Sequence, residues 1–128
     1  MNYYYLIGLE NFIDHISCIR DLGFCYWKKS GKKMKIGDVV FLFISDKIHD
    51  KVMYRLEVVS TDEERKDSKY YKHSFKPDMH CFVLKNTSAK FDGDGLGRNE
   101  LEQHGISRYV QYKKLDKEQA EWMESFFE

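Results

Sequence analysis

The stretch KIGDVVFLFISDKIHDKVMYRLEVVS, residues 35–60, decides how this chain is read. Gly37-Asp38 is a turn that launches a strand. Residues 39–44, VVFLFI, are apolar on both alternating faces, the pattern of a strand covered on both sides. Residues 46–51 are polar and turn-like. Val52, Tyr54, Leu56 and Val58 then recur at period two with Arg55 and Glu57 between them, so the second strand is expected to be half-solvated. The flanking segments are read as material that closes this hairpin into a barrel and builds a site on it.

On the N-terminal side, residues 3–8 are aromatic and β-branched and form a first strand, in which Gly8 allows a bend or a close backbone approach. Phe12, Ile16 and Ile19 recur at four and three, with Ile13 and Leu22 beside them, which predicts an amphipathic helix over 11–22. Asn11 with Asp14 is a weak capping signal, and Gly23 is placed to end the helix in the left-handed conformation. Residues 24–27, FCYW, lead into a loop of lysines and glycine that runs to Lys35. Trp27, at the head of that cationic loop, is the first candidate binding residue; the plainer reading is that it packs into the barrel mouth.

On the C-terminal side, residues 61–77, TDEERKDSKYYKHSFKP, set Tyr70, Tyr71 and Phe75 among Lys69, Lys72, His73 and Lys76. A polar segment this long in a small domain is usually functional or mobile. Interleaved aromatics and cations suit stacking on a base while touching phosphate; a solvated insertion with tucked aromatics is the alternative. Residues 80–84 read as a strand and 86–97 as a turn region. Asp92-Gly93-Asp94-Gly95 resembles the start of a calcium loop, but no glutamate follows at the required place. Residues 99–104 suggest a short helix ended by Gly105, and 106–111 an extended segment. Asp116 with Gln119 forms a capping box for a last helix whose inner stripe is Ala120, Met123 and Phe127.

The totals narrow the class. A chain of 128 residues suits one domain. Net charge is zero, so no whole-molecule field draws the protein to nucleic acid or membrane. The charge is uneven, however: Lys28, Lys29, Lys32, Lys33 and Lys35 crowd one stretch, and Arg65, Lys66, Lys69, Lys72 and Lys76 another. Cys18, Cys25 and Cys81 are an odd number without metal-ligand spacing, which argues for a reducing compartment. The N-terminus lacks the pattern of a signal peptide, and no apolar run reaches membrane-spanning length, so a cytoplasmic protein is expected. The five histidines are scattered, and His80 and Cys81 point to opposite faces of a strand. No catalytic residue, metal site or cofactor is therefore expected.

The order of elements resembles the EVE domain of the PUA-like superfamily, close in fold to the YTH domain. The residues that carry the resemblance are Tyr4-Tyr5-Leu6-Ile7, Asn11-Phe12, Trp27, Ile36-Gly37-Asp38-Val39-Val40-Phe41 with Ser45, and Glu57-Val58-Val59-Ser60. The tail over 101–126, with His104-Gly105-Ile106 and Leu115 before a helix, is also similar. The resemblance covers nearly the whole chain. It implies an α+β domain: a bent, partly closed barrel of about five or six mainly antiparallel strands with two or three helices.

It also implies a binding module that holds a modified base of DNA or RNA in an aromatic pocket beside a basic surface, without catalysis. Trp27 would be one wall, Asn11 the rim and Ser45 the floor. Tyr70, Tyr71 or Phe75 would supply the second wall, and Lys28, Lys29 and Lys72 would meet phosphate. The modification and the kind of nucleic acid are not readable, and a monomer is compatible with the sequence. The competing reading is a protein-interaction domain that uses its acidic last helix and has no nucleic-acid role.

Overall fold

The computed structural model describes residues 1–74 and 79–127. Among them the chain runs β1 (Tyr3–Leu9), α1 (His15–Leu22), β2 (Phe24–Lys28), β3 (Val39–Ser45), β4 (Lys51–Glu63), a 3₁₀ turn (Ser68–Tyr70), β5 (Cys81–Asn86), α2 (Arg98–Gln103), β6 (Tyr112–Lys114) and α3 (Lys117–Glu124). The strands form one mixed sheet in the order β2-β5-β4-β3-β1-β6. β1 and β3 are parallel; the other neighbours are antiparallel.

The α+β class and the mainly antiparallel pairing match expectation, but the sheet is not closed. β6 has only three residues, and the chain turns away after Lys114 to enter α3. The Tyr112 side chain, rather than a backbone ladder, joins β6 to the loop after β2. The Lys33 N–H donates to the Tyr112 hydroxyl at 3.2 Å, and Lys32 Nζ lies over the Tyr112 ring at 5.6 Å.

Strict alternation sorts two cores. Tyr4 and Leu6 of β1 with Val40, Leu42 and Ile44 of β3 face α1, while Tyr5, Ile7, Val39, Phe41 and Phe43 face α2 and α3. The apolar run of β3 thus has both faces covered. β4 departs from its expected pattern because of a bulge. Leu42 pairs with Tyr54 but Phe43 with Val52, which leaves Met53 as the extra residue. Val52 therefore joins the α2/α3 core, while Met53, Tyr54, Leu56 and Val58 stay on the α1 side. Arg55, expected in solvent, is half-buried against α3, where its guanidinium meets the Glu124 carboxylate (Nη2–Oε2 3.1 Å).

Two boundaries move. α1 begins at His15 rather than near 11, because the capping side chain is Asp14: its carboxylate accepts from the Ser17 N–H at 3.1 Å and the Ser17 hydroxyl at 2.7 Å. Residues 106–111 are turns rather than a strand, with the Val110 N–H on the Ser107 carbonyl. The stops were correctly placed: Gly23 and Gly105 lie at φ 78° and 80°. Among the described residues, no helix is long and apolar enough to cross a membrane.

Candidate nucleic-acid interface

The end of β1, the turn before α1 and the end of β2 converge on a cavity of about 220 Å³. Trp27, the fourth residue of β2, forms one wall, and Phe12 another. Phe12 was read as part of the inner stripe of a helix. The later start of α1 puts it in the turn, where it is 47% exposed. Ile13 beside it is buried and forms an isolated bridge with Tyr71.

The cavity is rimmed by cations: Lys28, Lys32 and Arg65. Burial, with the nearby charge of Lys28, holds the Lys32 ammonium below the usual lysine range. Arg65 is fixed by the Asp67 carboxylate (Nε–Oδ1 2.8 Å) and the Tyr26 carbonyl (3.3 Å), and its guanidinium lies over the Tyr71 ring at 5.6 Å. Burial disfavours the Arg65 charge, but the bond and charge of Asp67 outweigh it, so the group stays firmly protonated.

His15 lines the cavity and Glu10 packs against it, both buried. His15 Nδ1 lies 2.7 Å from Glu10 Oε1, and the imidazole packs on Trp27 with ring centroids 5.2 Å apart.

The candidate residues divide accordingly. Trp27 and Lys28 line the cavity. Lys29 lines an adjoining groove of about 450 Å³ with Lys32, Lys35, Met34 and Phe82, so Lys32 stands on both. Asn11 is exposed in the turn and does not line the cavity. Ser45 is not the floor: its hydroxyl accepts from Arg98 at 3.4 Å, although its carbonyl accepts the Glu10 N–H at 3.2 Å. Tyr70 is not a wall either. Its ring is buried and its hydroxyl donates to Asp21 at 3.0 Å, because the 3₁₀ turn folds it onto α1. Tyr71 is half-buried beneath Arg65, behind the wall it was expected to form. Phe75 lies outside the described residues. Lys72 is exposed, with its N–H on the Phe12 carbonyl at 2.9 Å.

Of the second cationic segment, Arg65 lines the cavity together with Trp27, Lys28 and Lys32, while residues 70–73 meet the turn before α1. The backbone of 70–72 pairs with that of 12–14, and the His73 ring lies 5.6 Å from that of Phe12. Phe12, Arg65, Glu10 and His15 were missed. The one legible signal was Gly8, flagged for close approach: a Cβ there would lie 3.0 Å from His15 Nδ1.

A larger cleft of about 460 Å³ lies elsewhere, between the start of β1 and α3. Its lining includes Asp116, Glu121 and Glu124, a poor match for a polyanion. Among the described residues, no three His, Cys, Asp or Glu side chains are grouped to hold a metal ion.

No family model and no curated protein matches the chain. Solved structures do resemble it. A hypothetical protein from Leishmania major superposes with a TM-score of 0.64 at 16% identity, covering 98% of this chain and 93% of that one. A protein from Rhodopseudomonas palustris solved by NMR gives 0.63 at 10% identity, covering 99% and 93%. A crystal structure from Agrobacterium tumefaciens gives 0.59 at 15% identity, covering 98% and 91%. At these identities the likeness is one of fold, and it extends over essentially the whole chain.

Proposed function

We propose that this chain is an EVE-type, PUA-like module that binds a modified base of DNA or RNA in the Trp27 cavity, without catalysis. The observation that carries the reading is the cavity itself. An indole wall and an exposed phenyl lip flank a small opening lined by Lys28 and Lys32, with Arg65 held within it on Asp67. Its 220 Å³ falls below the roughly 300–1,000 Å³ of sites for drug-sized ligands, which favours one planar ring system over a larger molecule. Flat aromatic groups stack on any base face, and the cations supply attraction to the flanking phosphates. The three buried free thiols fit the reducing, cytoplasmic setting expected from the sequence.

The test is an equilibrium titration of wild type and Trp27→Ala against short oligonucleotides with methylated, hydroxymethylated or unmodified bases, at two salt concentrations. Wild type is expected to prefer one modified base. Trp27→Ala should lose roughly 1–3 kcal/mol of binding while keeping its fold. Binding should also weaken with salt, by a log–log slope of about −0.7 per phosphate met on a single strand. Failure of wild type to bind any oligonucleotide at low salt would return the chain to the protein-interaction reading.

A further inference from the structure

We propose that His15 reads the edge of the bound base, and that Glu10 sets the direction of that hydrogen bond. The inference rests on the base-binding reading above and adds to it the sense of recognition.

His15 and Glu10 are each only 4% exposed. The carboxylate of Glu10 accepts the His15 backbone N–H at 3.1 and 3.2 Å and faces Nδ1 of the ring at 2.7 Å. The Glu10 backbone is held in turn by the Ser45 carbonyl. Both Glu10 oxygens already accept the His15 backbone N–H, so Glu10 is the acceptor towards the ring as well and the hydrogen of that bond sits on Nδ1. The same edge of the ring is closed off by the backbone of Gly8, where an added Cβ would meet Nδ1 at 3.0 Å and Cε1 at 3.3 Å. Trp27 packs on the ring at an interplanar angle of 31°. The edge that remains carries Nε2. That atom has no hydrogen-bond partner among the described residues, yet His15 lines the cavity. An imidazole nitrogen without a protein partner, on a residue that lines an aromatic cavity, is placed to meet a ligand group.

In the Nδ1–H tautomer that Glu10 selects, the lone pair of the imidazole lies at Nε2. The ligand must therefore bring an N–H to this point. The exocyclic amino group of a cytosine- or adenine-type edge does so, whereas an oxo group in the same place sets two acceptors against each other and leaves both unpaired. His15 is thus a specificity residue, Glu10 a positioning residue, and Gly8 the position that allows the ring its place.

The experiment uses matched single-stranded oligonucleotides that differ at one exocyclic group and the ring nitrogen beside it: 5-methylcytosine against thymine, and adenine against hypoxanthine. Wild type should bind the amino member about fivefold or more tightly, the factor expected of one hydrogen bond. His15→Phe keeps a ring against Trp27 and Gly8 but lacks Nε2. It should bind both members equally, at the level of the oxo member, with an unchanged salt dependence. The unmutated protein with ¹⁵N-labelled histidine gives an independent readout: the His15 Nε2 resonance should move when the amino probe binds. A retained preference in folded His15→Phe, or an unmoved Nε2 resonance in the complex, would overturn the proposal. Binding that depends on Trp27 but shows no amino preference refutes this assignment alone. If wild type binds no probe, the base-binding reading fails and this assignment fails with it.

Discussion

Tyr70 and Tyr71 are neighbours in sequence, and neither forms a face of the cavity. The ring of Tyr70 lies buried on α1 with its hydroxyl on Asp21, and Tyr71 supports Arg65 from behind. Tyr70→Phe should therefore lower the melting temperature slightly and leave oligonucleotide affinity unchanged, as thermal melts and titrations of the same preparation will show. In a charged segment with no period, an aromatic that packs inward and one that meets a ligand look alike, so sequence alone could not separate them. Trp27 was legible because it stands at the head of a lysine run. Glu10 and His15 were not, because their five-residue separation matches neither helix nor strand geometry; the turn over 10–14 makes the pair.

Among the elements, α1 is the one that shapes the site. Its apolar spacing was visible, but the cap at Asp14 rather than Asn11 decides that Phe12 is a lip and not a core residue. Asp14→Ala should cost about 1 kcal/mol of stability, measured by denaturant unfolding. Burial works to raise the Asp14 carboxyl, but the bonds from Ser17 and the charges of Lys72 and Arg20 outweigh it and hold it below its ordinary value of 3.8. A depressed folded value means that the cap contributes fully above the unfolded value and is lost as pH falls through the folded one. The difference between wild type and Asp14→Ala should thus shrink below about pH 4. In β4 the period-two pattern identified the strand, yet it could not show the bulge at Met53, because Met and Val are equally apolar. Which face each takes is decided by pairing with β3, a long-range contact that local pattern does not contain.

At the scale of the whole molecule, the neutral net charge conceals a division. Lys28 and Lys32 line the Trp27 cavity beside the Arg65–Asp67 pair, whereas Asp116 and Glu121, with Lys117 and the Arg55-paired Glu124, line the cleft beside α3. The α+β class and four of the six strands were legible from alternation and turn residues, while the extended segment expected at 106–111 forms instead at Tyr112–Lys114. β2 was read as the way into a loop, and the open edge of the sheet depends on how far β6 extends before α3 begins. The central claim is that a base stacks on Trp27. Its most direct test is the fluorescence of Trp27 in Trp122→Phe protein, which removes the chain's other tryptophan, during titration with the oligonucleotide that wild type binds best. The account predicts saturable quenching with the same midpoint as binding, shifting to higher concentration as salt is raised. Binding measured independently with no change in Trp27 emission would contradict it.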